Sequence, residues 1–207
     1  DVVAGDADAE AIQFVIGKSL LVPGSGNVFG PDNAVTRSEF ATVLAKARGI
    51  QAVKPSAPTF SDLKASDSSY PYVEALVKAG VIPVASSKKF EPEAPVKRAD
   101  MAVWIINALG LAKEAASIKE PVLMANDEDK VPQHAIGAMT LAYRSDRQLL
   151  GYRRGRLAAP TEGATRREIA KAIYMMMNPP KRGGTIVTAF TAEPPGFNTL
   201  VTSSGAT

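Results

Sequence analysis

The sequence has 207 residues, 45% hydrophobic and 22% charged, a balance that suits a folded chain with a real core and excludes disorder. It has no cysteine, which removes disulfide frameworks, thiolate metal sites and thiol nucleophiles, and its single histidine, His134, allows no histidine cluster within one chain. The net charge is only +3, but ten basic residues stand against three acidic ones between Arg144 and Arg182, a local excess that predicts an anionic partner.

No apolar run approaches the roughly 18 residues of a membrane span. No signal peptide precedes Asp1, so an export signal has been removed or lies outside the sequence. The first unit, residues 1–51, reads as helix, loop, helix. An apolar segment around Ile12 and Val15 leads into the turn residues Pro23-Gly24-Ser25-Gly26 and Pro31-Asp32-Asn33. A second helix follows with Phe40, Val43, Leu44 and Ala47 on one stripe, its start marked by Thr36 and Glu39 spaced as a capping box. Ala52 to Pro58, rich in proline and small residues, reads as a linker.

The second unit, residues 59–112, repeats the first at a shift of 61 without a gap: Asp1 falls on Asp62, Val15 on Leu76, Phe29 on Phe90, Pro31 on Pro92 and Arg37 on Arg98. Met101, Trp104, Ile105 and Ala108 form the stripe of its second helix. Lys97 is a poor N-cap, so this helix is expected to fray or to borrow a cap from elsewhere. The third unit, residues 123–178, aligns Pro160 with Pro92, Arg166 with Arg98 and Ala170 with Ala102 at a shift of 68. Its earlier half fits at a shift of 63, so about five residues are inserted near Ser145 to Gln148. Thr165 and Glu168 again make a capping box, and Ile169, Ala172, Ile173 and Met176 a stripe. Trp104 and Met175-Met176-Met177 are expected in the core, and His134 on the surface or in a first helical turn. Glu39, Asp100 and Glu168 are read as caps and not as catalytic acids.

The ordered set Phe60-Ser61-Asp62, Gly80-Val81-Ile82, Phe90-Glu91-Pro92 and Val96-Lys97-Arg98-Ala99-Asp100 resembles the S-layer homology domain. Phe29-Gly30-Pro31 with Val35-Thr36-Arg37-Ser38-Glu39, and Pro160 with Ala164-Thr165-Arg166-Arg167-Glu168, extend the resemblance over residues 1 to about 178. The family's tryptophan near the start of the first helix is missing from all three copies, and Ser19 and Gln148 stand where its helix-ending glycine is expected. The resemblance implies an all-α fold of three helix-loop-helix repeats, a pseudo-threefold, three-pronged spindle around a central helix bundle with ligand grooves between neighbouring repeats.

It also implies a non-enzymatic, extracellular anchor in the cell wall or S-layer surface, binding a pyruvylated, acidic secondary cell-wall polysaccharide without cofactor or metal. On that pattern Arg37, Arg98 and Arg166 clamp the ketal carboxylate from first helical turns, where a planar fork and a helix N-terminus both favour an anion. Asp62 and Asp127 accept sugar hydroxyls, and Tyr70 offers a ring to a sugar face. An S-layer assembly or self-association module without glycan binding is the alternative. The Arg153-Arg154-Gly155-Arg156 cluster is read as a second wall-facing surface and not a nucleic-acid site, because no recognition motif accompanies it. Residues 179–207 are a linker and a truncated start: Pro180 to Phe190, then Glu193 to Asn198, resemble the first strand of family 5 extracellular solute-binding, oligopeptide-binding proteins. The anchor would then tether such a receptor.

Overall fold

The computed structural model describes residues 1–2, 6–144 and 146–179; the strand expected after Gly183-Gly184 lies outside the described residues. The first helices of the three units are α1 (Ala9–Gly17), α3 (Tyr70–Lys78) and α6 (Ile136–Tyr143), and the second helices are α2 (Arg37–Ala47), α4 (Arg98–Ala108) and α7 (Arg166–Met177), with a short α5 (Ala112–Ser117) between α4 and α6. In chain order these run α1 to α7. Among the described residues no strand forms, only four isolated backbone bridges, so the all-α expectation holds. No helix there is long and apolar enough to cross a membrane.

Each first helix packs against the second helix of a different unit: α3 on α2, α6 on α4, and α1 on α7. The stripes explain this, since a lone unit could not bury its apolar face and a neighbour's stripe completes it. Phe40 stacks on Trp104 at 5.6 Å and Phe90 on the same indole at 5.9 Å, so aromatic residues of two units share one core. Trp104 is buried as expected, but only Met176 of the methionine run is; Met177 falls off the α7 stripe and is exposed. Gly137 lets α5 lie against α6, because a Cβ there would collide with the Ala115 carbonyl.

The unit boundaries meet in a closed ring. The Val35 amide donates to Ala164 O at 3.1 Å, the Ala164 amide to Val96 O at 2.8 Å, and the Val96 amide to Val35 O at 2.9 Å. The next residues along the chain start α2, α4 and α7, and their first free amides also cross between units. Arg37 and Ser38 donate to Ala94 and Pro92, Arg98 and Ala99 to Glu162 and Pro160, and Arg166 and Arg167 to Asn33 and Pro31, all at 2.8–3.0 Å. Lys97 gives no side-chain cap, and α4 borrows its cap from the proline loop of the third unit, as expected for a lysine there. Among the described residues the full capping box forms only at Thr165 and Glu168. At α2, Thr36 accepts from the Glu39 amide, but the Glu39 carboxylate is drawn away to Arg166.

Helices α1 and α3 end in a left-handed residue, Ser19 at φ 53° and Gly80 at φ 71°, and the turn that follows α6 contains another, Gln148 at φ 49°. The glycine substitutes are therefore strained at about 1–2 kcal/mol, partly offset by the greater entropy glycine loses on folding. Ser19→Gly and Gln148→Gly should each raise unfolding free energy by about 0.5–1 kcal/mol and act additively in urea denaturation. A loss at either position would contradict the left-handed assignment.

Candidate functional site

The three motif arginines reach across unit boundaries in the same way. Arg37 donates from Nε to Phe90 O (2.6 Å) and from Nη1 to Asp100 (2.7 Å). Arg166 donates from Nε to Phe29 O and from Nη1 to Glu39, both at 2.7 Å, and Arg98 donates to Ala158 O (2.8 Å) and to Glu168. The acid third in each helix, read from the sequence as a cap, is thus the partner of the preceding unit's arginine around the ring. The repeated spacing Arg37-Ser38-Glu39, Arg98-Ala99-Asp100 and Arg166-Arg167-Glu168 carried that signal, because a charge pair recurring at fixed offset in a cyclic repeat can close on its neighbour.

Their accessibility differs. Arg98 is fully buried, with Nη2 held by Tyr143 Oη and Gly151 O at 2.7 Å each, so a ligand reaches it only by displacing these partners. Arg37 and Arg166 keep 16% and 12% of their side chains exposed. Arg37 lies 5.0 Å from the Trp104 ring centre and 5.3 Å from that of Phe90, a cation–π stack that fixes its plane.

Asp62 accepts the amides of Phe90 (2.7 Å) and Glu91 (2.9 Å), and Asp127 those of Ala158 (2.7 Å) and Ala159 (2.9 Å). Asp1 does the same for Phe29 and Gly30. Both carboxylate oxygens of each aspartate hold the loop whose carbonyl receives the arginine Nε, so these aspartates brace the arginine's acceptor. Tyr70, expected to offer its ring to a sugar, is 1% exposed and donates its hydroxyl to Pro55 O at 2.8 Å, so it pins the linker instead.

Each second helix borders a groove, and the three differ. The α2 groove, about 460 Å³, takes its charged lining from Glu39, Asp67 and Glu93, all acids. The α7 groove, about 160 Å³, is crowded by Asp8, Arg167, Glu168 and Lys171, with Lys171 and Arg167 both paired to Asp8. The α4 groove, about 500 Å³, sets Arg37 and Lys89 beside Glu91, Asp100 and His134 over an apolar floor that includes Pro83, Val84 and Trp104.

The basic excess after Arg144 is largely consumed inside the fold. Arg144 and Arg147 pair with Glu114, Arg153 with Glu162 and Glu168, Arg166 with Glu39, and Arg167 with Asp6, Asp8 and Asp32. Much of that local excess is therefore neutralised within the chain, by Glu162 and Glu168 inside the stretch and by acids elsewhere. Burial opposes ionisation of Glu168, but the Arg153 hydrogen bond, the Arg98 charge and the Thr165 amide outweigh it and hold its carboxyl below the usual range. Asp62 is lowered likewise, its amide hydrogen bonds overcoming burial, and Asp6 chiefly by Arg167.

Residues 1–41 and 59–102 match the family model of the S-layer homology domain. An S-layer protein of Bacillus licheniformis is 28% identical over 114 residues, 55% of this chain and 13% of that protein. An endoglucanase of Bacillus sp. (strain KSM-635) is 26% identical over 160 residues, 77% of this chain and 16% of that enzyme. The middle cell wall protein of Brevibacillus brevis is 32% identical over 109 residues, 51% of this chain and 10% of that protein. The chain spans less than a fifth of the length of these relatives.

Removing Arg98 strands a buried set of acceptors, so Arg98→Ala should cost about 3–5 kcal/mol, against about 1 kcal/mol for Arg37→Ala, in equilibrium denaturation. Equal costs would contradict the difference in burial. A carboxylate lowered in the folded state contributes stability that is whole above its unfolded value and lost as pH falls through its folded value. Stability should therefore hold from pH 7 to about 5 and decline below about 4.5, the ordinary glutamate value. The decline should be shallower in Glu168→Gln; an unchanged acid limb would remove Glu168 from it.

Proposed function

We propose that this chain, which carries S-layer homology domains at residues 1–41 and 59–102, is a non-covalent anchor that holds an acidic, pyruvylated secondary cell-wall polysaccharide in the α4 groove. The domains and the S-layer relatives indicate a location at the cell surface, in the cell wall. The third unit makes the same arginine and backbone contacts as the others, which supports reading it as a third repeat of a three-pronged spindle.

One observation carries the ligand assignment: among the three grooves, the α4 groove alone combines a partly exposed, stacked arginine with a second cation and an apolar floor. Arg37 is the residue we assign to the ketal carboxylate, with Lys89 beside it and Pro83 and Val84 against the sugar. Arg98 and Arg166 hold neighbouring units together, Asp62 and Asp127 brace the loops, and Tyr70 fixes the linker. Glu39, Asp100 and Glu168 serve those arginines and not catalysis. We extend the resemblance of residues 180–198 to a tethered solute-binding receptor. A contact surface for S-layer assembly is the second reading, favoured by the exposed Val122, Met124 and Tyr152, which cluster because Tyr152 donates to Leu123 O.

Sedimentation with purified wall sacculi tests the anchor. The chain should pellet with untreated sacculi, stay soluble after chemical removal of the ketals, and bind at least about tenfold more weakly as Arg37→Gln, whose fold is checked by circular dichroism. Pelleting that ignores ketal removal, or no pelleting, would discard the glycan reading and leave the assembly surface.

A further inference from the structure

His134 comes from the third unit, on the single turn Gln133–Ala135 that leads into α6, yet it lines the α4 groove opposite Arg37 of the first unit and Asp100 of the second. Its Nε2 lies 3.3 Å from one oxygen of Asp100, while the other oxygen holds Arg37 at 2.7 Å. The imidazole is 59% exposed, so it keeps a face toward the groove. The charged groups around it are Arg37 on α2, Lys89 and Glu91 on the loop before α4, and Asp100 on α4. Lys119, after α5, stands in the adjoining cleft that His134 also lines, with its ammonium on Ala116 O.

With a neutral imidazole, the groove's two cations and two carboxylates cancel; a proton on His134 leaves one net positive charge. That proton lands beside Asp100, so it also offsets the carboxylate that occupies Arg37. We infer that His134 is a ligand-facing residue of this groove, and that its protonated form engages Asp100 and releases the charge of Arg37 to a carboxylate-bearing ligand. A proton on His134 strengthens the groove's hold on an anion and its loss weakens it, so the groove's anion affinity rises as the surroundings acidify. All three units must be present for this, because each supplies one member of the Arg37, Asp100, His134 set.

The inference rests on the anchor reading, and one experiment separates the two. Sacculus binding is measured at constant ionic strength from pH 8 to 5.5 for the wild type, His134→Gln and His134→Lys. The wild type should bind on the order of fivefold more tightly at pH 5.5 than at pH 8. His134→Gln should show a flat profile, and His134→Lys should bind at pH 8 as the wild type does at pH 5.5. Because His134 is the one histidine, its imidazole NMR signals report the site directly, and they should shift on addition of a methyl glycoside that carries a pyruvate ketal. Binding that is independent of pH, a His134→Gln profile as steep as the wild type, or imidazole signals unmoved at saturation would overturn the role of His134 while sparing the anchor. No binding at any pH would overturn both.

Discussion

Three backbone amides, at Val35, Val96 and Ala164, have no partner within their own unit, and all three residues are fully buried. Each finds its acceptor on another member of the trio, and the ring closes only when three units are present. An unmade bond here would leave a buried amide and a buried carbonyl unpaired, which costs far more than the bond itself contributes in water. The ring also sets the direction of the second helices. Directly after these residues the chain turns into α2, α4 and α7, so the helix starts face the proline loops of the next unit, and their orphan amides are satisfied there. The arginines at those starts are then aimed at the same loops, and the first helices fill the space left between second helices.

Cyclic contacts make the backbone nearly equivalent, while side chains make the grooves different. In the third unit Tyr143 and Gly151 close over Arg98, and Arg153 adds a second cation to Glu168, so charge there is matched internally and little space remains. In the first, acids collect without a lining cation. Between them, the α4 groove keeps both signs and the largest volume. One architecture thus yields three environments through substitutions at a few positions, and Ala158 in place of the phenylalanine found at 29 and 90 is among them. Arg98 lacks the aromatic face on which Arg37 and Arg166 lie.

The paired helices of the three units, their order and their repeat were legible because period-3.6 stripes and turn residues are local properties of sequence, whereas the short α5 was not. Ser19 and Gln148 were legible as anomalies, and the structure shows why: the backbone is left-handed at both. Partner choice was less visible. Arg166 and Glu39 are 127 residues apart, and Arg37 and Asp100 are 63 apart. Nothing local distinguishes an arginine awaiting a ligand from one already spent on a neighbouring unit, which is why Arg98, in the most complete copy of the motif, turned out buried. Charge counting over Arg144 to Arg182 did not reveal how much of the excess is neutralised within the chain for the same reason, since several of the balancing acids, Asp6, Asp8, Asp32 and Glu39, lie more than 100 residues away.

Arg37 therefore serves two demands. Its Nε bond to Phe90 O and its stacking on Phe90 and Trp104 hold the guanidinium plane without any help from Asp100, so a ligand carboxylate meets a cation that is already ordered and loses little further side-chain entropy. The Asp100 contact is the replaceable one. A carboxylate that takes its place would substitute one anion for another on Nη1 while the carbonyl and the rings keep the first two units joined. Binding at this groove can proceed without loosening the ring, whereas at Arg98, where the hydroxyl of Tyr143 and three backbone or carboxylate acceptors fill the guanidinium, it could not.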